Sequence, residues 1–200
     1  MRDWVKIGLL YLLSLPVLIG TWERLVFVAQ GAVGAPWVDQ RYADHPWLSA
    51  LHLMPGAVFF LLGPLQFSSW LRRGPWHRWA GRLFILTGTL SGIAVIWMVW
   101  VFPAVGGLMT QAVTMAIVGA MICFMSWGWR CARRRQIPQH RGAMMRAYAL
   151  GLSVSTTRIF IDLAEVLAGL DFMSTFVPAS AAGVAVNVLF TEALLRRKGR

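Results

Sequence analysis

The chain has 200 residues, of which 58% are hydrophobic and only 14% charged, and its formal net charge is +11. A soluble domain of this size keeps about 25% charged residues to face water, so a water-soluble globular protein is excluded. Nucleic-acid binding is excluded as well, because the basic residues cluster in short segments between apolar blocks instead of forming a stripe.

The apolar blocks are about 20 residues or longer, the length needed to cross a hydrocarbon core of roughly 30 Å. In chain order they predict spans over 5–29, 48–71, 80–103, 106–129, 143–168 and 174–195. The first follows Met1 to Lys6 and runs from Ile7 to Ala29, beyond the roughly 7–15 residues of a secretory signal core, so it reads as a retained helix. Breakers mark the connections: Gly31, Gly34 and Pro36, then Gly74 and Pro75, then Pro103, Gly106 and Gly107, then Pro138. Pro16 and Pro64 are expected to kink the first two spans. The predicted fold is all-α, a polytopic bundle of six transmembrane helices forming a single transmembrane domain over residues 1–200.

Charge sets the orientation. The segments before the first span, in 72–82, in 130–146 and after the last span hold 16 Lys and Arg; Arg24, Arg41 and Arg158 complete the 19. Glu23, Asp39, Asp44, Asp162, Glu165 and Asp171 fall on the other side, with Asp3 and Glu192 on the basic one. The positive-inside rule then puts both termini in the cytoplasm, in a bacterial inner membrane. Trp70, Trp76, Trp79, Trp127 and Trp129 fall at inner span ends and Trp37, Trp47, Trp97 and Trp100 at outer ones, as indoles at the headgroup level do. Cys123 in an apolar block and Cys131 in a basic segment give no disulfide pattern and no metal spacing.

An internal repeat links two stretches. Residues 69–92, SWLRRGPWHRWAGRLFILTGTLSG, parallel 126–151, SWGWRCARRRQIPQHRGAMMRAYALG. Spans two and three and spans four and five therefore read as two pseudo-repeated helical hairpins, and duplicated hairpins often hold a site at the repeat interface.

The repeat puts His77 and His140 at one depth on different helices. Two imidazoles so placed match the axial ligands of a b-type haem, with Arg78, Arg82, Arg141 and Arg146 beside them for propionates or phosphates. The same His-Arg pairs also suit a lipid-headgroup interface that only sets topology. His52, whose counterpart in the repeat is Met109, reads either as a ligand of an outer haem or as a hydrogen-bonded residue between helices. His45 reads as solvated. Arg158, Asp162 and Glu165 share one face of the fifth span by their spacing; ionisable groups in spans pair, face the interior and mark pathways. With Glu23 and Arg24 near the same level, they outline an outer polar site with His52. The same charges also read as an Arg158–Asp162 pair that only steadies the helix end. Gly88 and Gly92 read as a close-packing pair, and Gln66, Asn187 and Glu192 as interhelical hydrogen-bonding groups. No Walker loop, dinucleotide turn, HExxH motif or serine elbow is present.

The segment LHLMPGAVFFLLGPLQFSSWLRRGPWHRWAGRLFILTGTLSG, with PQHRGAMMRAYALGLSVSTTRIF further on, resembles the bacterial membrane-protein family called domain of unknown function 2306. The resemblance covers about 50–165 and rests on His52, His77, Arg78, Gly81, Arg82, His140, Arg141, Arg146, Tyr148 and Arg158. The family's Trp-Met pair after the second His-Arg is replaced here by Gly142-Ala143-Met144-Met145. The resemblance implies a membrane fold and transfers no activity. The His-on-helix layout is similar to that of b-type cytochromes such as the cytochrome b561 group, by analogy alone.

These features lead to an integral membrane protein with haem b as its expected cofactor, His77 and His140 as ligands, and a quinone or other redox partner beside the lipid bilayer. The alternatives are a small-molecule transporter or ligand-binding protein without a redox cofactor, and a structural membrane subunit.

Overall fold

The computed structural model describes residues 3–31, 33–34, 37–102 and 107–199. Pro36, Pro103 and Gly106, and the side chain of Trp37, lie outside the described residues. The described residues are helical throughout: α1 (Asp3–Ala29), α2 (Trp37–Asp44), α3 (Pro46–Gln66), a short 3-10 turn (Leu71–Arg73), α4 (Pro75–Val101), α5 (Gly107–Arg133), α6 (Ile137–Ala168) and α7 (Phe172–Gly199). They divide into two compact units, Met1–Pro103 and Ala104–Arg200. Pro16 and Pro64 lie inside continuous helices, as do Pro55 and Pro178.

In the first unit α3 packs between α1 and α4. Helix α1 is fastened at two levels. The Tyr11 hydroxyl donates to the Leu61 carbonyl at 2.8 Å. The Asp3 carboxylate accepts from the Ser69 amide at 2.8 Å and from the Ser69 hydroxyl. The α3–α4 seam is aromatic and small by turns: Phe59 stacks on Phe84 at 4.4 Å, and Gly88 and Gly92 are buried. Without water to expel, helices in lipid associate through such tight contact and hydrogen bonds.

In the second unit α6 packs against both α5 and α7. The α5–α6 turn closes through Arg135 in the left-handed region, φ 57°, and a Gln136 amide donating to the Cys131 carbonyl at 2.9 Å. Close approach is enforced at Gly183 of α7. A Cβ there would lie 2.8 Å from Thr157 Oγ1 and 3.0 Å from the Ser153 carbonyl. One turn along, Asn187 donates to Thr156 Oγ1 at 2.7 Å. Helix α6 ends at Gly169, φ 63°, whose amide caps Glu165. Helix α7 begins on Asp171, which accepts from the Ser174 amide at 2.9 Å; that backbone donor holds the Asp171 carboxyl below the usual carboxylate range.

Both expected hairpins are present as packed pairs, α3 with α4 and α5 with α6. The expected spans are only partly matched. Five helices, α1, α3, α4, α5 and α7, are long and apolar enough to cross a membrane. Helix α6 has 32 residues yet is not among them. Its composition is the reason: an Arg, Asp or Lys at a helix centre costs about 2.5–3.5 kcal/mol on insertion scales, and α6 carries Arg146, Arg158 and Asp162 along with many hydroxyls. Twelve of its residues are buried, Ser153, Ser155 and Thr157 among them, while Asp162 and Glu165 are exposed.

Candidate functional site

The densest polar constellation is at the α2 end of the first unit. By composition residues 30–47 look like a connection, but Trp37–Asp44 forms a helix that packs on α1 and on the start of α3. This brings Asp39 to Arg24 of α1: Arg24 Nε and Nη2 both donate to Asp39 Oδ1, at 2.9 and 2.8 Å. The Arg24 guanidinium also stands 5.1 Å from the centre of the Tyr42 ring. Arg41 stands 5.5 Å from that same ring and 5.6 Å from the Phe102 ring at the end of α4. Phe102 is 8% exposed; Tyr42 meets it edge-on and His45 stacks on it, both at 5.5 Å. His45 is thus half-buried and stacked, where solvation was expected. Ser49, fully buried, donates to the Tyr42 carbonyl at 2.8 Å and ties the cluster to α3.

His52 lies six residues beyond the first residue of α3, about 9 Å along the helix at 1.5 Å per residue. Its Nδ1 is 3.2 Å from the Ser91 carbonyl and 3.0 Å from Ser91 Oγ. The Ser91 hydroxyl donates its own proton to the His52 carbonyl at 2.9 Å. A carbonyl cannot donate, so Nδ1 carries the ring proton and Nε2 is left as an acceptor. Gly56 makes room for this tie, since a Cβ there would meet Ser91 Oγ at 3.0 Å. His52 and Ser91 thus tie α3 to α4, the interhelical role expected of His52.

The remaining expected residues divide between the units. His77 is half-buried in the first turn of α4, and Arg78 and Arg82 are exposed. Arg82 lines a shallow depression along one face of α4 with Trp79, Leu83 and Leu86. In the second unit His140 Nδ1 lies 2.9 Å from the Gly128 carbonyl, which again fixes the proton on Nδ1 and leaves Nε2 open. Arg141 is exposed. Arg146 is already engaged: its Nε and Nη2 donate to the two Glu192 oxygens of α7 at 2.5 and 2.8 Å. That pair satisfies the expectation for Glu192 and takes up Nε and Nη2 of the guanidinium. Gln66 departs from expectation, because its Nε2 is buried without a hydrogen-bond partner among the described residues. On α6, Arg158 is half-buried while Asp162 and Glu165 are exposed. Met109 is 64% exposed.

Asp39, Arg41, Tyr42, Ser91 and Phe102 were not anticipated as site residues. The available signal was the Asp39–Asp44 stretch, where Arg41 precedes Tyr42 in a polar segment short enough to cap the two helices flanking it.

Long apolar helices studded with exposed tryptophans, among them Trp4, Trp22, Trp47, Trp70, Trp79, Trp97 and Trp100, define a multi-pass helical membrane protein. The chain belongs to the family described as predicted membrane protein (DUF2306), whose model matches residues 49–195. The match takes in most of α7, beyond the 50–165 that the sequence motifs cover, and leaves α1, α2 and the first residues of α3 outside. No curated protein matches the chain, and no solved structure does.

Proposed function

We propose that the protein spans the bacterial inner membrane six times, with both termini in the cytoplasm, and binds a small ligand at its outer face through the α2 cluster, without a redox cofactor of its own. The charge asymmetry supports the orientation. The burial of α6 between two apolar helices supports its counting as a span despite its composition. One observation carries the ligand reading: two guanidiniums converge on the Tyr42 ring, only one of them is matched by a carboxylate among the described residues, and His52 presents an acceptor nitrogen deeper along α3. Buried charge in a membrane protein is expensive unless it serves a site.

The test is thermal unfolding of the detergent-purified chain against a panel of amino acids, polyols, amines and carboxylates. A ligand that binds the native state raises Tm by mass action. A saturable rise with any class, abolished in Asp39→Asn, fits the reading. A flat response across the panel defeats it.

A second reading, a b-type haem protein, is favoured by His140. A haem ligand commonly donates its second ring nitrogen to a backbone carbonyl, and His140 does so to Gly128. Arg141 beside His140 would be available to a propionate. Haem would supply reversible one-electron chemistry. An absorption spectrum decides: a Soret band that shifts on dithionite reduction and is absent in His140→Ala supports this reading, and a folded protein that takes up no added haemin ends it.

A further inference from the structure

We infer that Arg41 anchors an oxyanion site at the α2 end of the first unit, taking a carboxylate or phosphate whose apolar body lies against Tyr42 and Phe102; the inference rests on the ligand reading above. The chemistry begins with charge. Arg24, Arg41 and Asp39 converge there, and Asp39 is committed to Arg24 through two donated hydrogen bonds. Arg41 has no ion pair among the described residues, and Asp44, three residues on, is exposed and makes none either. Glu23 is also exposed, and its charge acts on Arg24.

Burial adds the direction. Arg41 Nε is buried and meets no hydrogen-bond acceptor among the described residues. An orphaned buried donor costs about 1–3 kcal/mol, and more when it is charged. A position near the C-terminus of α2 suits a cation through the helix dipole, yet that accounts for the charge and not for the burial of Nε. Two aromatic rings flank the guanidinium, at 5.5 Å for Tyr42 and 5.6 Å for Phe102. A planar fork of N–H donors matches two oxygens of one oxyanion. The rings around it, Tyr42, Phe102 and His45, suit a flat apolar body.

The probes are benzoate, acetate, inorganic phosphate and phosphatidylglycerol, each titrated into the full chain in a neutral detergent while Tm is followed, with polyols and amines as controls. Benzoate is expected to raise Tm saturably and more than acetate. Arg41→Gln should weaken this binding at least about tenfold, the effect of removing one charge-assisted hydrogen bond. Because Arg41 also packs on Phe102, Arg41→Lys keeps the stem and the charge while removing the fork; it should fold with near-native unliganded Tm and still bind more weakly. Phosphatidylglycerol raising Tm through Arg41 while benzoate and inorganic phosphate do not would identify the oxyanion as a lipid headgroup phosphate, inorganic phosphate doing so would identify a free phosphate, and either would leave the site standing. Stabilisation by a polyol or amine alone would overturn the oxyanion site and spare the ligand reading. Equal benzoate binding in wild type, Arg41→Gln and Arg41→Lys would also overturn it. No response to any probe would overturn both.

Discussion

The two units contain the same number of long helices and handle polarity in opposite ways. In the first, the seam between α3 and α4 is mostly aromatic, and polar groups gather at one end around Arg24, Asp39, Arg41 and His52. In the second, polarity runs along the seam itself: Arg146 with Glu192, Thr156 with Asn187, and Ser153 and Thr157 against Gly183. Distributed polarity of this kind makes a packing surface, because each group in these three contacts meets a neighbour. Concentrated polarity with one guanidinium left over makes a candidate binding surface.

The contrast is open to attack at three places. The largest effect is expected at Gly183→Leu, where the backbone of α6 stands in the way of any Cβ. Overpacking against backbone should cost more than about 3 kcal/mol, read as loss of cooperative thermal unfolding of the second unit, while binding at the α2 end survives. A response that stays within about 0.5 kcal/mol, the ordinary range for a surface change, would mean that the α6–α7 seam is not the tight contact described.

The next effect is a coupling in the first unit. Gly56→Ala alone should cost about 1 kcal/mol, because its methyl meets the Ser91 hydroxyl. In a Ser91→Ala background the obstacle is gone and the cost should nearly vanish. Additive behaviour in this double-mutant cycle would show that the His52–Ser91 tie does not set the helix spacing.

The smallest effect concerns Asp171. Its folded carboxyl sits below the usual range through the Ser174 amide, so its cap contributes stability that is present above the ordinary carboxylate pKa. That contribution disappears as pH falls through the depressed folded value. Asp171→Ala should therefore lower Tm at neutral pH, and the gap from wild type should narrow on acidification. A gap that widens in acid would contradict the cap.

Much of this architecture was legible in the residues. Block length and hydropathy locate the long helices, and the Ser-Trp and His-Arg repeat locates both hairpins, because these signals are local. Helix α2 was not legible: eight residues of mixed polarity, flanked by glycines and prolines, look like a connection until α1 and α3 give them a surface. The Arg41–Phe102 contact joins residues sixty-one apart, and nothing periodic announces it. His52 was legible as a polar residue in a span, but its partner could not be, since Ser91 is one of several hydroxyls on α4. The departure at Gln66 has a general origin: a side chain's hydrogen-bonding capacity is known from its type, and its consumption only from its neighbours.

The polarity of α6 has a consequence for biosynthesis. A segment reaching the insertion machinery is partitioned between channel and lipid by its own hydropathy, and α6 falls short of the apolarity that α5 and α7 each possess. On the six-span topology it enters as cargo of its neighbours: Arg146 meets its carboxylate only when α7 arrives with Glu192, and Thr156 accepts from Asn187 only then. On that topology a chain halted at residue 168 would hold α6 at the channel, so α7 secures the helix before it.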